Sequence, residues 1–170
     1  MRNMPVIRSA LPIALMLLAG GAWAKDTPGQ QFIIKAVQGN LAEVALGQLA
    51  QQKAGGEDVR SFGRTLEQDH STANQQATAA AASMNVTVPT EPSKKQKADR
   101  DQLAKLSGGA FDREFVKHMV VDHKKDIGDY QKEAKRSDGQ VSDYAKATLP
   151  TLQKHLETAQ SLSKTGVPSQ

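Results

Sequence analysis

The stretch Phe111–Lys135, FDREFVKHMVVDHKKDIGDYQKEAK, decides the fold class. Phe115, Met119, Ile127, Tyr130 and Ala134 fall on one side of a helix of 3.6 residues per turn, and charged residues fill the rest. His123 lies four residues after Met119 and four before Ile127. A histidine therefore stands on the apolar stripe itself.

The same period recurs on both sides of this stretch. A first helix is predicted over about 31–54, carrying Ile33, Val37, Leu41, Val44 and Leu49, and Gly55-Gly56 ends it. A second, over about 57–85, carries Val59, Phe62, Leu66, Ala73, Ala77, Ala80 and Met84. Val86–Ser93 (VTVPTEPS) holds two prolines and reads as a crossover loop. A short helix over about 94–106 follows and is closed by Gly108-Gly109. A last helix, over about 140–163, carries Val141, Tyr144, Leu149, Leu152, Leu156, Ala159 and Leu162. Pro150 within it should kink or split it, because proline removes a backbone bond and crowds the preceding turn.

Four amphipathic helices with short turns inside each pair and a longer link between pairs predict an all-α, ferritin-like four-helix bundle with one crossover and a short extra helix. An internal echo agrees with two related hairpins. Phe62 precedes Asp69-His70 by seven residues, as Phe115 precedes Asp122-His123.

The chain of 170 residues divides into a signal peptide (1–24), a short extension (25–30), the bundle (31–164) and a tail (165–170). Arg2 and Arg8 lead an apolar run, ALPIALMLLA, and Ala22-Trp23-Ala24 has the small-x-small pattern read by signal peptidase. The run is short of the roughly 20 residues of a spanning helix. Removing it takes away two arginines and no acid, so the net charge falls from +4 to +2. With acids and bases alternating, that is not a nucleic-acid footprint. Only 4% of residues are aromatic, which also argues against stacking platforms for single strands. A periplasmic protein without a membrane span in its mature chain is expected. Peripheral envelope association and self-association are both compatible with it.

No cysteine is present, which excludes disulfides, thiol catalysis, cysteine-held zinc and iron–sulfur clusters. Metal chemistry is left to nitrogen and oxygen donors. His70, His123 and His155 each fall on or beside the buried face of a different helix. In the first helix Glu43 is flanked at helical spacing by small residues. One candidate ligand per helix is how bundle-core sites are built, and three imidazoles with a carboxylate suit one Zn, Cu, Fe or Ni ion. Asp69 and Asp122 stand about 100° round the helix from their histidines, where they could orient a ligand from a neighbouring helix or face water. Asp126, one turn on, is a further candidate. His118 points away from His123 and reads as surface. Glu67-x-x-His70 is half of a di-iron carboxylate motif, but Val120 and Leu152 stand where the other half needs glutamate.

The segments AVQGNLAEVALGQLAQQKA (36–54), DVRSFGRTLEQDH (58–70), the central stretch and TLPTLQKHLETAQ (148–160) resemble a bacterial family catalogued as domain of unknown function 4142. The resemblance implies exported, ferritin-like four-helix proteins, often described as predicted outer-membrane proteins. It places Glu43, His70, His123 and His155 at recurrent polar positions, with Asp69 and Asp122 beside them. It implies no settled activity. A helical chain without a 20-residue apolar run is neither a spanning-helix protein nor a barrel. The expected function is therefore metal binding in the bundle core, and the alternative is a non-catalytic envelope stress or interaction protein with structural histidines. No hydrolase signature, open coordination position or substrate pocket is legible.

Overall fold

The computed structural model describes residues 26–136 and 139–165, so the predicted signal peptide and the end of the tail lie outside the described residues. Five helices follow one another: α1 (Pro28–Lys53), α2 (Glu57–Ala82), α3 (Lys94–Leu103), α4 (Gly108–Ala134) and α5 (Gln140–Lys164). α1 begins three residues before its apolar stripe suggests. Thr27 and Gln30 form a capping box, and Pro28 sits at the first turn, where its missing N–H costs nothing. At the other end of α2 the helix stops short of Asn85, which adopts a positive φ of 55°.

The long helices form a four-membered bundle in which α1 packs on α2 and α4, and α5 on α4 and α2. Their directions follow from which side chains meet. Asn40 meets His70 and Gln51 meets Glu67, so α1 and α2 run antiparallel. Phe62 meets Phe115 and His70 meets His123, both 53 residues apart in sequence, so α2 and α4 run parallel across the core. Parallel successive helices require a connection that travels the length of the bundle. The segment from Ser83 to Ser107, with α3 in its middle, makes it. The echo between Phe62…His70 and Phe115…His123 is thus a spatial one, each ring of one set meeting its counterpart edge to face.

α1 and α2 approach very closely. A Cβ on Gly47 would lie 2.5 Å from the Gly63 carbonyl oxygen, and one on Gly63 would lie 2.8 Å from the Gly47 carbonyl oxygen. Asp112, fully buried, accepts hydrogen bonds from the N–H groups of Gly55 and Gly56 at 3.0 and 2.8 Å. It ties the α1–α2 turn to the start of α4.

Pro150 does not split α5, which is continuous from Gln140 to Lys164. The proline is exposed, so its ring sits where the missing N–H is least costly, and the Thr148 hydroxyl reinforces the preceding turn by donating to the Tyr144 carbonyl at 2.8 Å. Among the described residues no helix is long and apolar enough to cross a membrane.

The apolar core has two parts. One gathers Leu46, Phe62, Leu66, Phe111, Phe115 and Met119. The other gathers Ile33, Val37, Ala77, Tyr130, Tyr144 and Leu152. On every long helix the break between the two parts falls at a polar residue: Asn40 and Glu43, His70, His123, and His155. A buried polar layer therefore crosses the middle of the bundle.

Candidate metal centre

His70, His123 and His155 come together in that layer, 4%, 2% and 1% exposed. Their ring centroids form a triangle with sides of 5.8, 5.2 and 5.3 Å. One ring nitrogen from each lies within 4.8 Å of those of the other two. Three such nitrogens can hold a metal ion. Phe62 packs edge-on against His155 from the apolar side.

The outer hydrogen bonds decide which nitrogens carry lone pairs. His123 Nδ1 lies 3.0 Å from the Met119 carbonyl oxygen, which can only accept, so Nδ1 carries the proton. His155 Nε2 lies 2.9 Å from Asp69 Oδ2 and donates to that carboxylate. Asn40 Nδ2 donates to the Tyr144 hydroxyl at 3.0 Å, which turns Asn40 Oδ1 toward His70 Nδ1, also at 3.0 Å. His70 therefore donates through Nδ1. The remaining atoms, His70 Nε2, His123 Nε2 and His155 Nδ1, are the lone-pair nitrogens. Two of them face each other at 3.3 Å, and the third is buried with no partner.

Burial keeps all three rings uncharged at neutral pH. It pushes His70 well below the usual imidazole range, with His123 and His155 adding to the effect. Burial, then the neighbouring His155, lowers His123 to about 4. His155 is lowered by burial too, against the opposing pull of Asp69. Neutral imidazole is the form that ligates metal.

Residues 19–162, which carry all of these side chains, match the family described as Domain of unknown function (DUF4142). The chain belongs to that family. No curated protein and no solved structure matched significantly.

The other residues singled out in this DUF4142 sequence take different places. Asp69 orients His155, a histidine of a neighbouring helix. Glu67 accepts from Gln48 and Gln51 of α1, on the outer side of the α1–α2 pair, and takes no part in the histidine group. Glu43 is buried, and its carboxyl group faces Asp122 and Asp126 of α4. Burial raises its pKa well above the ordinary value, and the two aspartates raise it further. One of its oxygens, Oε2, has no hydrogen-bond partner. Asp126 is raised to about 6 by burial and by Asp122, with Lys125 opposing.

Asp122 and Asp126 line a cleft of about 730 Å³ between α1 and α4, edged by the start of α3. His70 and Tyr130 also reach it, and His118 is half-buried on its wall rather than on the open surface. Sequence reading missed this cleft, and it missed Asn40 and the Tyr130–Tyr144 pair, whose hydroxyls lie 3.0 Å apart. Asn40 stands on the buried face of α1. Its meaning appears only once the antiparallel pairing sets it opposite His70.

Proposed function

We propose that this DUF4142 protein is an exported, periplasmic ferritin-like bundle that binds one transition-metal ion through His70, His123 and His155. The observation carrying the reading is the set of converging lone pairs. Three separate outer partners, Asn40, the Met119 carbonyl and Asp69, each hold the proton on the far side of a ring. Two lone pairs 3.3 Å apart repel unless a cation lies between them. Nitrogens bound to one tetrahedral zinc, at about 2.0–2.1 Å each, stand about 3.3–3.4 Å apart, which is the separation found here. His70 has only to move inward to complete the set.

Nitrogen donors of this kind suit Zn, Cu, Fe or Ni. Three protein ligands leave a further position for water or a small ligand, and the cleft that reaches His70 gives such a ligand a route. The leader over residues 1–24 supports export, and charge balance with low aromatic content argues against a nucleic-acid partner.

Metal content of the protein purified without an affinity tag tests the reading. One equivalent of metal is expected, lost when His70, His123 and His155 are replaced together by alanine. Sub-stoichiometric metal that the triple replacement leaves unchanged would overturn it. A melting temperature indifferent to added metal and to chelator would favour the alternative, a structural polar network in an envelope protein.

A further inference from the structure

The imidazole layer is sealed between two apolar half-cores, so an ion reaches it only by a polar route. The cleft between α1 and α4 is such a route, because its lining includes His70 on the inside and Asp122 and Asp126 nearer solvent. Glu43 stands with those two aspartates. It is 2% exposed, lies within hydrogen-bonding reach of Asp122, and keeps Oε2 without a partner. A buried carboxylate oxygen in that state is costly unless a proton or a cation satisfies it.

Cations of the protein do so only in part. Lys125 pairs with Asp126 at 3.1 Å and with Asp129 at 3.3 Å, on the outer side. Lys95 acts on Asp122 from α3, and no ion pair to Glu43 or Asp122 is found among the described residues. The three carboxyl groups come from two helices that face each other across the cleft. Gly39 of α1 lies opposite Asp126, where a Cβ would stand 3.9 Å from Asp126 Oδ2 in ordinary contact, so α1 does not crowd that carboxylate.

We infer that Glu43, Asp122 and Asp126 form an oxygen-donor transfer site, which takes a divalent cation from solvent through the α1–α4 cleft and passes it to the three histidines. The inference rests on the metal reading above and assigns the carboxylates a separate part in it. Hard oxygen donors bind a hydrated divalent ion loosely and exchange it quickly, whereas imidazoles hold it. Residues on the route, but outside the final coordination sphere, change entry and exit by the same factor and leave the equilibrium affinity alone.

The test is stopped-flow uptake of Co²⁺ by the full mature protein, followed by the visible bands of nitrogen-bound cobalt. Replacing Asp122→Asn with Asp126→Asn should slow uptake about 10-fold or more, the lower end of what a focused local field supplies. Dissociation to a chelator should slow by the same factor. A double replacement outside the cleft with the same charge change, Asp58→Asn with Asp101→Asn, should leave both rates near wild type. An unchanged uptake rate in the cleft variant, or equal slowing in the control, overturns the transfer site.

A second measurement needs no kinetics. Zinc-loaded wild type titrated with Mn²⁺ should show one further weak site by loss of the free Mn²⁺ resonance, absent in Glu43→Gln. No such site in the zinc-loaded wild type overturns the carboxylate assignment while leaving the histidine site intact. No cobalt bands in the wild type overturn the histidine site and the transfer role together.

Discussion

Two seams of the bundle involve the same helix and are built in opposite ways. Where α1 meets α2, glycines at 47 and 63 let the backbones touch, and the side-chain bonds across the seam are neutral or peripheral: Asn40 to His70 in the polar layer, and Gln48 and Gln51 to Glu67 at the edge. Where α1 meets α4, the helices part around a cleft with acids on its walls. The first seam lies within a hairpin and is closed by a short turn. The second lies between hairpins, whose only covalent link is the long crossover, so side chains alone set its spacing. The difference teaches that the closed seam holds the frame in which the open one can carry costly polar groups.

Breaking the closed seam should have the largest effect. Gly47→Leu places a side chain where the first carbon would already sit 2.5 Å from the Gly63 carbonyl and 2.9 Å from the Glu67 nitrogen, both backbone atoms that cannot swing aside. Loss of about 3 kcal/mol or more of stability is expected, at the upper end of overpacking costs, because α1 must lift off α2. Urea unfolding followed by helical circular dichroism measures it. A loss no greater than an exposed-helix substitution produces would mean the two helices slide freely.

The open seam is sharpened by the network behind it. Asn40→Leu removes the acceptor that holds His70 in the ligating tautomer. Partners of this kind change metal affinity by about 10–100-fold. Competition with a zinc chelator should show that loss, and Asn40→Asp, which keeps an acceptor oxygen, should recover most of it. Affinity unchanged in Asn40→Leu would mean that His70 is oriented by packing alone.

Much of the frame, but only part of this network, is legible in the residues. The stripes of α2, α4 and α5 locate the helices because burial imposes a 3.6-residue period, and His70, His123 and His155 stand out as polar interruptions of it. Glu67 misleads: Glu-x-x-His describes one helix, but α1 arrives beside Glu67 with Gln48 and Gln51. Asn40 and the cleft are not legible, since they depend on the register between helices and on how far α1 stands from α4. Pro150 shows the same limit. Its effect on α5 depends on facing solvent, which a stripe indicates only when the neighbouring helices are placed.

The smallest expected effect compares the two polar walls by pH. The histidines have lowered pKa values in the folded chain, so the unfolded state binds more protons as pH falls through the ordinary imidazole value of about 6.5 toward 4, and stability falls with it. Asp126 works the other way. Its folded value of about 6 lies above the ordinary 3.8, so the fold favours its protonated form, and stability is lost as pH rises from about 4 to 6. Asp126→Asn mimics the protonated carboxyl. It should match wild type below about pH 4, gain through that interval, and hold a roughly constant advantage above it. The side chain is 26% exposed and gives up its pairing with Lys125, so the gain is expected at only about 1 kcal/mol. Urea midpoints of the metal-free protein at pH 4 and pH 8 read it directly. A variant less stable than wild type at pH 8 would show that the Lys125 pair outweighs the cost of the buried charge, and that the wall is held together by ion pairing.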